Sequence, residues 1–271
     1  MTWKRQAVTD MTDLISKFRD PDAVTFGTWV KLPTLETLEL LARLSFDFVV
    51  IDQEHSPLSL ESAYRLIVVG QSLGMGVLVR VPDRSGSHVQ RILDAGADGI
   101  LVPQVADIEA ARDAMSQMIF SPDGGSRGMG ATSRAGLWGL ASNEEYLSGG
   151  DGLLRVIQLE SREAVAQAGE ILQVAGVNAA FLGLGDLTLS TGLTLTHPEI
   201  QGLISKFVSA AASCRVPCGT AVGTAAAAGW AARQGFDFVM VSNDLSIFAS
   251  AASVLAKEIM TSLRDAKRVV E

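Results

Sequence analysis

Short apolar, β-branched runs recur along the chain, each introduced by a small residue and a polar turn. They occur as Ser45-Phe46-Asp47-Phe48-Val49-Val50, as Gly96-Ala97-Asp98-Gly99-Ile100-Leu101-Val102, as Gly176-Val177-Asn178-Ala179-Ala180-Phe181-Leu182 and as Gly235-Phe236-Asp237-Phe238-Val239-Met240-Val241. A glycine closing a helix and followed by a strand is the signature of an αβ connection. Further strand-like runs lie at Val24–Thr28, Gly76–Val81, Leu153–Glu160 and Val216–Val222. Helical periodicity fills the gaps, most clearly over Leu35–Leu44, Leu60–Leu73, Ser87–Asp94, Ile108–Met118, Glu163–Val174 and Pro198–Cys214. Strands alternating with helices predict a parallel sheet under helical cover. Their count and the chain length favour a closed (β/α)8 TIM barrel over an open doubly wound sheet. No linker interrupts the pattern, so residues 1–271 read as a single domain. It ends in an amphipathic helical segment at about 243–269, opened by Asn243 as a cap. The least regular stretch, Ser121 to Gly152, is too long for an idle connection.

With 271 residues, 48% hydrophobic and 19% charged, the chain suits one barrel and is too apolar for disorder. The formal charge is −8 and no Lys/Arg stripe stands out, which argues against nucleic acid as a partner. An anionic substrate then needs a local cation, an arginine or a metal, to overcome the overall field. Cys214 and Cys218 make neither a disulfide framework nor a zinc site and read as small buried hydrophobes. The polar start Met1-Thr2-Trp3-Lys4-Arg5-Gln6 leads to no apolar signal segment. The small-residue stretch Ala221 to Ala232 falls short of the ~20 residues a membrane span needs. A cytoplasmic enzyme with no membrane partner is the expected class.

Candidate chemistry gathers where the strands end. The run Phe46–Ile51 empties into Asp52-Gln53-Glu54-His55, three ionisable groups at the carboxyl end of a buried strand, where barrels bind ligands. Alternation places Gln158 and Glu160 on one face near the exit of their strand. The run Ala179–Leu182 leads to Gly183-Leu184-Gly185-Asp186, so Asp186 stands at the same rim one strand along. Glu160 and Asp186 together form a hard oxygen-donor pair suited to Mg²⁺ or Mn²⁺, with positions left open for water and a chelating substrate. Taken singly, each also reads as an ordinary surface acid at a loop start. Arg80, inside an apolar strand, needs compensation: it is either half of a buried ion pair or a clamp on a developing anion. His55 suits a general base, oriented by Asp52, Glu54 or a more distant acid such as Asp94. His88 and His197 read as surface residues, and Lys31, the nearest candidate for a Schiff base, as solvent-facing. Gly183-Leu184-Gly185-Asp186-Leu187-Thr188 lacks the third glycine of a dinucleotide fingerprint.

In order and at these spacings, the segments resemble the HpcH/HpaI aldolase family, the metal-dependent class II pyruvate aldolases. The resemblance runs from about Gly27 to Ser250. It is carried by Phe46 to His55, Val79-Arg80-Val81, Leu93 to Pro103, Arg127-Gly128, Ser133-Arg134-Ala135, Gln158-Leu159-Glu160 and Gly183 to Leu187. It implies a TIM barrel assembled as a homohexamer, with C-terminal helices exchanged between subunits. It also implies reversible cleavage of a 4-hydroxy-2-oxo acid to pyruvate and an aldehyde, as in 4-hydroxy-2-oxoheptanedioate aldolases. Through it, Glu160 and Asp186 would hold a divalent ion (Mg²⁺, Mn²⁺ or Co²⁺), and Gln158, the backbone at Gly185 and Asp186 would form the substrate site. Arg80 would stabilise the enolate, His55 would accept the proton and Asp94 would raise its basicity. The family usually carries Pro and a small residue before the metal Asp, where this chain has Leu184-Gly185, a departure that bears on pocket shape. A related branch cleaves malyl- or citramalyl-coenzyme A; no long basic element for the coenzyme is evident, so it ranks second.

Overall fold

The computed structural model describes residues 14–268. Eight parallel strands close into a barrel in chain order: β1 Thr25–Val30, β2 Phe48–Asp52, β3 Gly76–Arg80, β4 Gly99–Val102, β5 Leu154–Leu159, β6 Ala179–Leu182, β7 Cys218–Val222 and β8 Phe238–Asn243. β8 pairs with β1, so the sheet has no edge, and the (β/α)8 barrel expected from the alternation is observed.

Side-chain alternation splits the strands between two cores. Val49, Ile51, Val77, Val79, Ile100, Val102, Ile157 and Leu159 join the large cluster shared with the helices. Phe48, Val50, Leu78, Leu101, Val156, Phe181 and Phe238 fill the barrel itself. The short helix Leu14–Phe18 closes the floor, with Phe18 stacked on Phe238 at 4.0 Å between centroids and edge-on to Phe48 at 5.2 Å. Followed upward, the inward parity reaches Asp52, Arg80 and Gln158. The apolar filling therefore gives way to a polar layer at the carboxyl end of the strands.

The recurring polar turn residue has one job at the amino ends. Asp47 accepts Phe26 N–H (3.2 Å), Asp98 accepts Val77 N–H (2.7 Å), Asn178 accepts Arg155 N–H (2.7 Å) and Asp237 accepts Cys218 N–H (2.8 Å). Each lies just ahead of an even-numbered strand and ties it to the strand before, a clasp repeated four times around the floor.

Most expected helices agree with the structure to within a residue or two. The one expected over Glu163–Val174 breaks at Gln167 into Arg162–Ala166 and Ala168–Ile171. Leu184–Thr191 and Ala225–Gln234 are helices that small residues concealed by blurring the apolar period. The irregular stretch carries a 3₁₀ turn at Arg134–Gly139 and a helix at Asn143–Ser148, the latter opened by a Ser142/Glu145 capping box. The C-terminal segment is one continuous helix, Asp244–Arg268, and Val269 lies outside the described residues. Among the described residues, no helix is long and apolar enough to cross a membrane.

Candidate active site

At the mouth, the last residues of β2 and β3 meet. Arg80 donates through Nε to Asp52 Oδ1 (3.0 Å) and through Nη2 to Asp52 Oδ2 (2.8 Å), and its Nη1 lies 3.0 Å from Glu54 Oε2. Parallel register sets Asp52 directly beside Arg80, so the pair follows from strand pairing itself. Trp29 of β1 covers the guanidinium at 4.1 Å from its ring centroid. Asp52 also accepts the N–H groups of Glu54 (3.2 Å) and His55 (3.1 Å), which shapes the turn carrying His55. Burial pushes the Asp52 carboxyl up, but hydrogen bonds and charge from Arg80, with Lys31 behind, outweigh it and hold the group at about 2. The His55 ring is mostly exposed, with Nε2 3.7 Å from Glu54 Oε2.

Across the mouth, Gln158 Nε2 donates to Glu160, as their shared strand face requires. Burial raises the Glu160 pKa; a bond from Gln158 opposes this, and the charges of Asp186 and Glu54 raise it further. Glu160 and Asp186 thus sit within electrostatic reach of each other. Gly183 makes this possible: a Cβ there would lie 2.9 Å from Glu160 Cβ and 3.1 Å from Gln158 Nε2. As N-cap of the helix Leu184–Thr191, Gly183 offers no side-chain acceptor, so the first-turn N–H groups near Gly185 have no capping partner. Gln104, just past β4, links both halves. Its Nε2 donates to Glu54 Oε1 (3.1 Å) and its main-chain N–H reaches Glu160.

The residues present fit a divalent cation. Four acids, Asp52, Glu54, Glu160 and Asp186, face two cations, Arg80 and Lys31. One doubly charged ion would balance them. Gln158 Oε1 is a buried acceptor without a hydrogen-bond partner, the state expected of a group that faces an ion or its water. Among the described residues no group of three or more His, Cys, Asp or Glu is arranged as a metal cage. A bound ion would therefore rest on Glu160 and Asp186 and keep open positions.

Known proteins narrow this chemistry. The pattern of the family described as HpcH/HpaI aldolase/citrate lyase matches residues 25–251. The chain belongs to that family. A Pseudomonas putida relative, 2-dehydro-3,6-dideoxy-6-sulfogluconate aldolase, is 32% identical over 231 residues, covering 84% of this chain and 90% of its own. The 2-keto-3-deoxy-L-rhamnonate aldolase of Escherichia coli K12 is 31% identical over 236 residues, covering 84% and 86%. The crystal structure of an HpcH/HpaI aldolase/citrate lyase family protein from Burkholderia cenocepacia superposes with a TM-score of 0.84 at 28% identity, covering 91% of this chain and 98% of that one.

Within this HpcH/HpaI barrel, Asp52, Arg80, His55, Gln158, Glu160, Gly185 and Asp186 all lie at the mouth. Three expectations need correction. Asp52 does not orient the His55 imidazole; it holds the His55 main chain and Arg80. Asp94 makes no contact with His55 in the chain; at the end of the helix Gly86–Asp94 it accepts from Tyr146 (3.2 Å) and pairs with Arg127 (3.4 Å). Lys31 is not solvent-facing: its side chain is 18% exposed and its Nζ pairs with Asp52 Oδ2 at 2.5 Å. His88 is half-buried and bonded to Gln53 Oε1 (2.9 Å), with its pKa lowered by burial, whereas His197 is an exposed cap. Cys214 and Cys218 are free thiols, the latter buried. Trp29 and Gln104 escaped sequence reasoning. The signal for Gln104 was its place after the β4 run and Pro103.

Proposed function

We propose that the chain is a metal-dependent aldolase that reversibly cleaves a 4-hydroxy-2-oxo acid to pyruvate and an aldehyde. The charge imbalance at the mouth, four acids against two cations beside the unpartnered buried acceptor Gln158 Oε1, carries this reading. Glu160 and Asp186 would hold a divalent ion, which would supply Lewis-acid polarisation of the 2-oxo group. Arg80, with side-on contacts to Asp52, keeps N–H groups at the end of its fork for the oxygen that gains charge. His55, beside Glu54, takes the 4-hydroxyl proton as the C3–C4 electrons move onto the 2-oxo oxygen. The aldehyde leaves, and protonation at C3 completes pyruvate. Gln158 and the uncapped turn at Gly185 line the substrate carboxylate's side. A cavity of about 270 Å³ adjoins Gln104 and offers Arg84 and Ser85 to the aldehyde portion.

The homohexamer and the exchange of C-terminal helices belong to the same proposal, as does a cytoplasmic location. Phe248, Leu255 and Leu263 of the last helix are more than half exposed, an apolar face that a second subunit would cover; sedimentation velocity tests it.

The deciding experiment follows pyruvate release from a 4-hydroxy-2-oxo acid. Chelator should abolish it, and Mg²⁺, Mn²⁺ or Co²⁺ should restore it. Full activity in excess chelator, with borohydride trapping of a lysine, would assign Schiff-base chemistry instead.

A further inference from the structure

We propose that Lys31 is a positioning residue of this reaction, acting through Asp52 on Arg80; the inference rests on the aldolase reading above. Asp52 is wholly buried and receives five donors: Arg80 Nε and Nη2, Lys31 Nζ, and the N–H groups of Glu54 and His55. Two cations therefore share one carboxylate, and Asp52 neutralises Arg80 only in part. Removing the Lys31 ammonium turns the full Asp52 charge on Arg80, which weakens the field Arg80 offers an oxyanion. It also frees Oδ2, the oxygen that both Lys31 and Arg80 Nη2 hold.

Lys31 is itself built into place. Its N–H donates to both carboxylate oxygens of Asp244, at 3.0 and 3.1 Å, and Asp244 also accepts Leu32 N–H at 3.0 Å. Its Nζ reaches the His55 carbonyl at 3.3 Å. One residue thus joins the end of β1, the turn after β2 and the first residue of the C-terminal helix, the last through its main chain. Such restraint on a lysine, with 18% of its side chain exposed, suits orienting neighbours more than meeting solvent.

The test uses the metal-loaded full chain and compares wild type, Lys31→Met, Lys31→Arg, Asp52→Asn and the Lys31→Met/Asp52→Asn double variant, with folding checked by circular dichroism. Lys31→Met should lower kcat about 10- to 100-fold while KM for the oxo acid moves less than about threefold. Lys31→Arg should recover part of the loss. In the Asp52→Asn background, Lys31→Met should add less than about a twofold loss, because the two act as a unit. A readout free of turnover is the Arg80 Nε–H signal in ¹⁵N spectra, which should exchange with water faster in Lys31→Met than in wild type. Unchanged kcat in Lys31→Met, or a full second loss on top of Asp52→Asn, overturns the inference. A wild type without metal-dependent pyruvate release overturns the aldolase reading instead, and unaltered Arg80 exchange in Lys31→Met then overturns the positioning role independently.

Discussion

At the floor of the barrel, Asp98 stands ahead of β4 and accepts Val77 N–H and the Gln71 amide, both at 2.7 Å; at the mouth, Asp52 ends β2 and collects Arg80 and Lys31. Both carboxyls are pushed up by burial. Asp98, whose hydrogen-bond donors are neutral dipoles, ends raised to about 6, since those bonds and the more distant Arg134 offset only part of the burial. Asp52, whose side-chain partners are full cations, ends at about 2. Burial alone does not decide the state of an acid; the formal charge of what it touches does. Asp98 at the floor spends its acceptors on the neighbouring strand and helix and so serves stability. Asp52 at the mouth is kept ionised and holds Arg80 and Lys31 in place for chemistry.

The sharpest way to break this division is Arg80→Ala. Pyruvate release should fall about 100- to 1000-fold, roughly 2.7–4 kcal/mol of transition-state stabilisation, in a protein that still folds. A global unfolding of that variant would make the mouth a stability element and erase the contrast.

The pH dependence of stability should then carry opposite signs at the two rims. The folded-state pKa of Asp98 is raised from 3.8 to about 6, so its contribution is present below about pH 4 and is lost as pH rises towards 6. That of Asp52 is depressed from 3.8 to about 2, so its contribution is present above about pH 4 and is lost as pH falls towards 2. Urea denaturation across pH should show Asp98→Asn removing the first slope and Asp52→Asn the second. Equal slopes in both variants would refute the division.

A smaller effect is expected at the uncharged clasp. Asn178→Ala leaves Arg155 N–H without its acceptor, and the urea midpoint should register a loss of about 1–3 kcal/mol with kcat unchanged. The smallest belongs to Gln104→Ala, which removes only the amide bond to Glu54 and keeps the main-chain contact to Glu160. It should cost roughly three- to fivefold in kcat, within the ~0.5–1.5 kcal/mol of one hydrogen bond.

Much of the mouth was legible because strand alternation is local. The parity that buries Phe48 and Val50 must aim Asp52 inward, and the same rule pairs Gln158 with Glu160. Lys31 was misread because the apolar run suggested a strand ending at Thr28, whereas β1 continues to Val30 and brings Lys31 to the rim. For Gln104 the only signal was its place after the β4 run and Pro103, since its role depends on a left-handed backbone (φ 56°) that the run does not show. The clasp residues were visible as a repeated phrase, but not as acceptors, because their donors lie on the preceding strand.

The order of strands and helices, the two-sided apolar parity and the polar exits of β2, β3, β5 and β6 are properties of the chain read alone, since each depends on neighbours a few residues away. Which charges meet was decided by closure of the barrel. Lys31 and Asp52 are 21 residues apart, Arg80 and Asp52 28, and Lys31 and Asp244 213. Hydrogen bonds vanish beyond a few ångströms and ion pairs are strongest at contact, so these pairs exist only once the strands are laid side by side.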